Sequence, residues 1–320
     1  MHSRRFFVRS LAAAFPAARF LAAKDAKALA GIFPIVQTPF TSDNKLDTET
    51  LAEEIRFLDR TGAHGAVWPQ LASEYYELTM EERFAGMEVV ASVGKPLRPA
   101  VVLGVQANDT ETALRYTKHA EKLAPDALIA LPPREWKDKE KILEYYKVIG
   151  QNSGRPLFAQ TIGDMSVDFV LKMIGQTPNL HFIKDEAGRT LPRISEFRKR
   201  GNPRLRGVFT GGHGRTLIDE LMRGAQGTMP AVPFADLYVA VWNAWRAGRK
   251  QEALEMFSRV MLLVTQVTAY GMPSMKYLLQ LRGVFKNSIC RAQGPDSALD
   301  EEARQSLAAT LQFVKPWLKA

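Results

Sequence analysis

Short runs of β-branched and apolar residues recur eight times along this chain, separated by longer stretches whose apolar side chains fall at three- and four-residue steps. The runs lie at 33–37, 65–68, 99–103, 127–131, 156–161, 180–183, 205–209 and 227–230, and each predicts a strand. Helices are predicted at 48–60, 79–92, 110–122, 139–150 and 216–223. Several start with a side chain that can accept from free first-turn amides: Asp47 with Thr48, Thr79 with Glu82 in a capping box, and Asp109. Strand followed by helix, repeated, requires parallel strands joined by crossovers, and eight such units close naturally into a (β/α)8 TIM barrel. The rival is an open doubly wound sheet. No Gly-x-Gly-x-x-Gly follows the first run, so the barrel is the better reading.

Beyond Pro233 the strand signals stop, and helices are predicted at 235–248, 251–270, 274–282 and 300–318. The first completes the barrel; the others form a C-terminal helical extension. Asp296, Ser297 and Asp300 break it ahead of its last helix, and Pro316 sits near the end, where a kink is tolerable. The chain therefore divides into a leader at 1–30, a barrel at 31–248 and a helical annex at 249–320.

Composition points to a buried core as the source of stability. At 320 residues, 46% hydrophobic and 24% charged, the chain excludes disorder, collagen and coiled coil as its main state. Its one cysteine, Cys290, cannot form an intramolecular disulfide, and no Cys/His spacing resembles a zinc site, so no metal is expected. The formal charge of +9 is concentrated at one end: in the first thirty residues Arg4, Arg5, Arg9, Arg19, Lys24 and Lys27 stand against Asp25, a net of +5. The rest is mildly basic, and nucleic acid is not an expected partner. A second basic group, Arg198, Lys199, Arg200, Arg204 and Arg206 around Gly201-Asn202-Pro203, could suggest phosphate binding. No aromatic residue interleaves with it, which favours the exposed end of a helix and its turn.

The leader reads Ser3-Arg4-Arg5-Phe6-Phe7-Val8-Arg9, followed by a short Ala-rich apolar run at 11–18. It resembles a bacterial twin-arginine export signal, which implies a periplasmic or otherwise extracytoplasmic protein. The alternative is a frayed basic helix. Ala26-Lys27-Ala28 has the small-x-small form of a cleavage site. No other stretch approaches the ~20 apolar residues of a membrane span.

In a barrel the reacting groups sit at the carboxyl ends of the strands. Those ends offer Thr38 and Pro39, then 70–74, 104–106, 132–134, Gln160, 184–186, 211–213 and 229–231. Lys184 stands out because it follows His181-Phe182-Ile183 and would rise from an apolar interior. There desolvation penalises the ammonium and favours a nucleophilic amine, which can attack a keto group to form an imine. A lysine after a strand also commonly just enters solvent, so its company decides.

That company is Gly31, Pro34, Thr38, Pro39 and Phe40 at the first strand, Glu74, Leu78, Thr79, Glu81, Glu82 and Arg83 after the second, Ile183-Lys184-Asp185 at the sixth, and Gly224, Ala225 and Gly227 at the eighth. Together these resemble the dihydrodipicolinate synthase and N-acetylneuraminate lyase family of class I, Schiff-base aldolases, from about Gly31 to the C-terminus. The resemblance implies a (β/α)8 barrel in which Lys184 matches the lysine that condenses with pyruvate or another 2-keto acid. The imine is an electron sink, so such an enzyme makes or cleaves a C–C bond, or expels water, without metal or organic cofactor. It also implies a homodimer or homotetramer.

The chain departs from the family where hydroxyls are needed. The family's Gly-Thr-Thr-Gly-Glu loop reads Gln70-Leu71-Ala72-Ser73-Glu74 here, its Tyr-Asn-x-Pro reads Ala159-Gln160-Thr161-Ile162, and its tyrosine after the fourth strand falls at Pro133 or Arg134. The inherited carboxylate clamp and proton shuttle are missing. Losing one positioned acid/base typically costs ~100- to 10,000-fold, which argues against dihydrodipicolinate synthase or sialic acid lyase activity. His213, in the glycine-rich Thr210-Gly211-Gly212-His213-Gly214, and Glu74, beside Tyr75, are candidate replacement acid/bases. Each has a structural alternative: a loop histidine bonded to backbone, a carboxylate bonded to loop amides. Arg134 could grip a substrate carboxylate through its guanidinium fork, or sit in solvent among Glu135, Lys137 and Asp138. With Thr38, Leu71, Ala72, Gln160 and Met229 it makes the expected substrate-binding set. Two readings follow: a Schiff-base lyase acting on a 2-keto acid or sugar-acid derivative through Lys184, or an inactive barrel that binds a small carbonyl compound or a partner protein.

Overall fold

The computed structural model describes residues 27–292 and 298–320. The twin-arginine motif, and Asp296 and Ser297, lie outside the described residues. Residues 27–30, expected in the leader, belong to the barrel's base. Lys27 Nζ donates to the carbonyls of Gly94 and Pro99, both at 2.9 Å, at the amino-terminal end of the strands.

Eight parallel strands, β1 (Gly31–Ile32), β2 (Gly65–Trp68), β3 (Ala100–Gly104), β4 (Ala127–Ala130), β5 (Leu157–Gln160), β6 (Leu180–Asp185), β7 (Gly207–Thr210) and β8 (Gly227–Thr228), run in the order β1-β8-β7-β6-β5-β4-β3-β2. The ring closes between its ends, where Val36 N donates to Val67 O at 3.0 Å and Val67 N to Pro34 O at 3.1 Å. This is the (β/α)8 TIM barrel that the alternation of runs requires. The first strand is shorter than the expected 33–37 and begins earlier. Its amides go on bonding toward β8, Phe33 N to Thr228 O at 3.0 Å and Ile35 N to Pro230 O at 2.8 Å, but neither Pro34 nor Pro230 has an N–H to return, so the regular ladder is confined to Gly31–Ile32 and continues as bridges from Ile35 to Val67 and Ala231. The sixth strand is longer than expected and continues past Ile183 to Asp185.

Helices α1 (Thr48–Thr61), α2 (Met80–Gly94), α3 (Thr110–Leu123), α4 (Lys139–Gln151), α5 (Val167–Gln176), α6 (Thr190–Arg200), α7 (Leu217–Met222) and α8 (Ala235–Arg246) cover the outside. Their starts are capped as the sequence suggests. Asp47 accepts from Thr50 N at 2.9 Å, Asp109 from Thr112 N at 2.7 Å, and Thr79 and Glu82 exchange bonds at 3.2 and 3.1 Å. The chain then continues through α9 (Lys250–Tyr270), α10 (Met272–Leu281) and α11 (Glu301–Val314). No helix among the described residues is long and apolar enough to cross a membrane.

The barrel interior is filled by Phe33, Phe158, Phe182 and Phe209 with Ile35 and Met229, all buried. Phe158 stacks on Phe182 at 4.6 Å between ring centroids, while Phe209 meets Phe158 and Phe33 edge to face at 5.2 and 5.1 Å. Full burial of one such side chain contributes roughly 1.5–3 kcal/mol. The aromatic layer is thus a firm floor beneath whatever occupies the carboxyl ends of the strands.

Candidate active site

Side chains alternate along a strand, so on β6 Phe182 and Lys184 share the inward face and Asp185 points to the helices. Asp185 is held there by a bidentate pair with Arg193 of α6, its Oδ2 2.9 Å from Nε and its Oδ1 2.8 Å from Nη2. It also accepts from the Thr161 hydroxyl at 2.7 Å. Inside, β5 repeats the pattern: Phe158 pairs in register with Phe182, and Gln160 with Lys184. Lys184 therefore rises one layer above the phenylalanine floor and is only 5% exposed.

Its partner is Glu186, which falls within the expected 184–186 strand end but not among the expected catalytic or substrate-binding residues. Two positions further along the chain, Glu186 Oε2 lies 3.0 Å from Lys184 Nζ. The same oxygen accepts from Gln160 Nε2, and Oε1 accepts from the Gly212 amide at 3.1 Å. The Glu186 amide donates to Thr161 Oγ1 at 3.0 Å, which fixes the backbone beneath the carboxylate. Burial alone would raise this carboxyl, but the Lys184 charge and the donated hydrogen bonds prevail and hold it below the usual carboxylate range. Gly211 makes room for it: a Cβ there would stand 1.8 Å from Glu186 Oε1 and 3.0 Å from Lys184 Cε.

His213 borders this pair. Burial lowers its pKa and the Lys184 charge lowers it further, with Glu186 opposing, so the imidazole is predominantly neutral at neutral pH. Its backbone is left-handed at φ 57°, and its carbonyl accepts from the Tyr238 hydroxyl. Gln160 is fully buried, and its Oε1 has no donor among the described residues. Met229 belongs to the apolar interior.

The other expected residues take different places. Glu74 is not a free acid/base: Lys276 of α10 donates to Oε1, while the Arg291 and Ala292 amides donate to Oε2 at 2.6 and 2.7 Å. It ties the loop after β2 to the C-terminal segment. Thr38 is fully buried, its hydroxyl donating to Ser73 O at 2.5 Å and accepting from Trp68 Nε1 at 3.0 Å, so it braces that loop from below. Leu71 and Ala72 are half-buried on a 3-10 turn, and Ala72 packs against the barrel interior. Arg134 is exposed on the loop after β4. Its charge reaches Tyr75 and Tyr76, where it partly offsets the burial that raises both phenols. The structure thus brings Lys184, Gln160 and His213 together around Glu186, and turns Glu74 and Thr38 to structural use.

Fold and site together define a (β/α)8 barrel with a buried lysine on the inward face of its sixth strand. Residues 28–314 match the Dihydrodipicolinate synthetase family, and the chain belongs to it. Among its relatives, the Escherichia coli protein described as a probable 2-dehydro-3-deoxy-D-pentonate aldolase is 26% identical, covering 91% of this chain and 99% of its own. The L-2-keto-3-deoxyarabonate dehydratase of Azospirillum brasilense is 23% identical over 89% and 94%. Among solved structures, an Escherichia coli K12 family member in complex with pyruvate superposes with a TM-score of 0.81 at 21% identity, covering 90% of this chain and 99% of that one. The N-acetylneuraminate lyase of Proteus mirabilis does so with 0.79 at 18%, over 89% and 98%.

Proposed function

We propose that this protein is a Schiff-base-forming lyase that acts on a 2-keto acid or sugar-acid derivative through Lys184. One observation carries the reading: a lysine nitrogen 3.0 Å from a carboxylate, nearly excluded from water, stands above an apolar floor at the carboxyl ends of the strands. The names of the aldolase and dehydratase relatives agree, since both concern 2-keto-3-deoxy sugar acids. The replaced hydroxyls at Leu71 and Ala72 argue for a substrate other than those of dihydrodipicolinate synthase or sialic acid lyase.

The test is chemical trapping. Purified protein is incubated with pyruvate and a panel of 2-keto acids, reduced with borohydride and examined by mass spectrometry. A covalent adduct on Lys184 is expected, absent from a Lys184→Ala variant. No adduct with any member of the panel would instead favour a barrel that binds its ligand without covalent chemistry.

A further inference from the structure

We propose that Glu186 is the proton carrier of the Lys184 reaction, in place of the hydroxyl relay that this chain lacks; the inference rests on the imine-forming role of Lys184. Position is the first argument. Glu186 follows the last residue of the strand that carries Lys184, and the two touch at 3.0 Å, so the carboxylate contacts the atom that must lose protons for imine chemistry to start. Access is the second. The Glu186 side chain is 27% exposed against 6% for Lys184, so it also meets whatever enters from the mouth. Preparation is the third. The Gly212 amide and Gln160 bind the ionised carboxylate, and Gly211 leaves it the space, so a base is in place before substrate arrives.

The proton inventory closes with this single group. The Lys184 ammonium gives a proton to Glu186, and the free amine attacks the keto carbon as the C=O π pair moves to oxygen. That oxygen takes the proton back from Glu186 and becomes the carbinolamine hydroxyl. A nitrogen proton then passes through Glu186 to the hydroxyl, which leaves as water while C=N forms. Ammonium and ketone have become iminium and water, and Glu186 is a carboxylate again. It can now take a proton from the carbon next to the iminium carbon: the C–H pair becomes the enamine C=C, and the iminium π pair returns to nitrogen. A substrate hydroxyl or the iminium N–H would also supply the donor that buried Gln160 Oε1 lacks.

Pyruvate in deuterated water separates the steps. Loss of its methyl proton signal by NMR reports enamine formation, and borohydride trapping in parallel reports the imine. The wild type is expected to do both. Glu186→Gln, checked for folding by circular dichroism and thermal melting, should still yield the Lys184 adduct on long incubation but exchange methyl protons ~100- to 10,000-fold more slowly. Glu186→Asp, which keeps the carboxylate, should recover part of the rate. Exchange in Glu186→Gln within tenfold of wild type would overturn the proposal while leaving Lys184 untouched. So would exchange lost in His213→Gln but kept in Glu186→Gln, which would transfer the role to the histidine. Wild-type protein that forms no adduct would overturn the Lys184 reading, and this inference with it.

Discussion

Glu54 is a buried side chain, away from the mouth, whose protonation bears on the fold. It sits on α1 with no exposure, and its Oε1 accepts from the Gln37 amide at 2.9 Å. Its Oε2 has no donor among the described residues. Burial pushes its carboxyl well above the ordinary value of 4.5, with the Gln37 bond and the Lys276 charge opposing only in part. The folded chain therefore holds this proton more tightly than the unfolded chain. The stability so gained is complete below the ordinary carboxyl pKa and lost as pH rises toward the folded value. Glu54→Gln removes the dependence, so its melting temperature should gain on the wild type as pH rises from about 4.5 toward the raised folded value. Thermal melts across that range check it; a constant gap would mean that Glu54 titrates like an exposed carboxyl. Residue-scale legibility in the sequence was uneven for a related reason, since environment and not residue type sets the role. Lys184 was legible because an apolar run precedes it. Glu186 was legible only as one member of the 184–186 strand end, because it lies beyond the last residue of β6, where the two-residue alternation no longer says which way a side chain faces.

At the scale of elements, the tie between the loop after β2 and α10 is the contact on which the mouth depends. Lys276 and Glu74 are both fully buried, and the lysine also donates to Ile289 O at 2.7 Å. Removing one partner strands the other charge, which typically costs ~3–5 kcal/mol. Lys276→Met should lower stability by about that amount in denaturant melts. The double variant Glu74→Gln/Lys276→Met should lose less than the sum of the two singles, because it leaves no uncompensated charge. A purely additive result would mean that the two groups act separately. None of this pairing was legible in the chain, since its members stand 202 positions apart and nothing local marks Lys276 as buried. The strands were legible because their apolar runs are continuous, as burial on both faces demands. The main exceptions, β1 and β6, are those where a proline breaks the ladder or polar site residues continue it.

On the scale of the whole molecule, the expected division at 248 marks a change of architecture more than a boundary of stability. Leu237 and Val241 of α8 share one buried cluster with Leu263 and Val264 of α9 and Leu278 of α10, so the last barrel helix and the annex have a common core. Ion pairs then cross the division, two of them buried or partly buried and one, at Lys286, exposed. Arg282 Nη2 lies 2.7 Å from Asp236 Oδ2, Lys286 Nζ 3.2 Å from Asp47, and Arg291 Nη1 2.7 Å from Glu82. Independent domains meet across exposed, more polar surfaces joined by linkers with few contacts. Here the annex completes the wall behind α8 and, through Lys276, the loop that frames the mouth. Heating should accordingly give one cooperative transition by calorimetry, with the fluorescence of Trp68 in the barrel and Trp317 beyond α11 changing together. A chain cut after Gly248 should fail to fold, since it exposes the apolar face of α8 and leaves Glu74 and Asp236 buried without their cations. Two separated transitions, or a soluble cooperative fragment ending at 248, would show instead that the barrel stands alone and that the annex can move without disturbing Lys184.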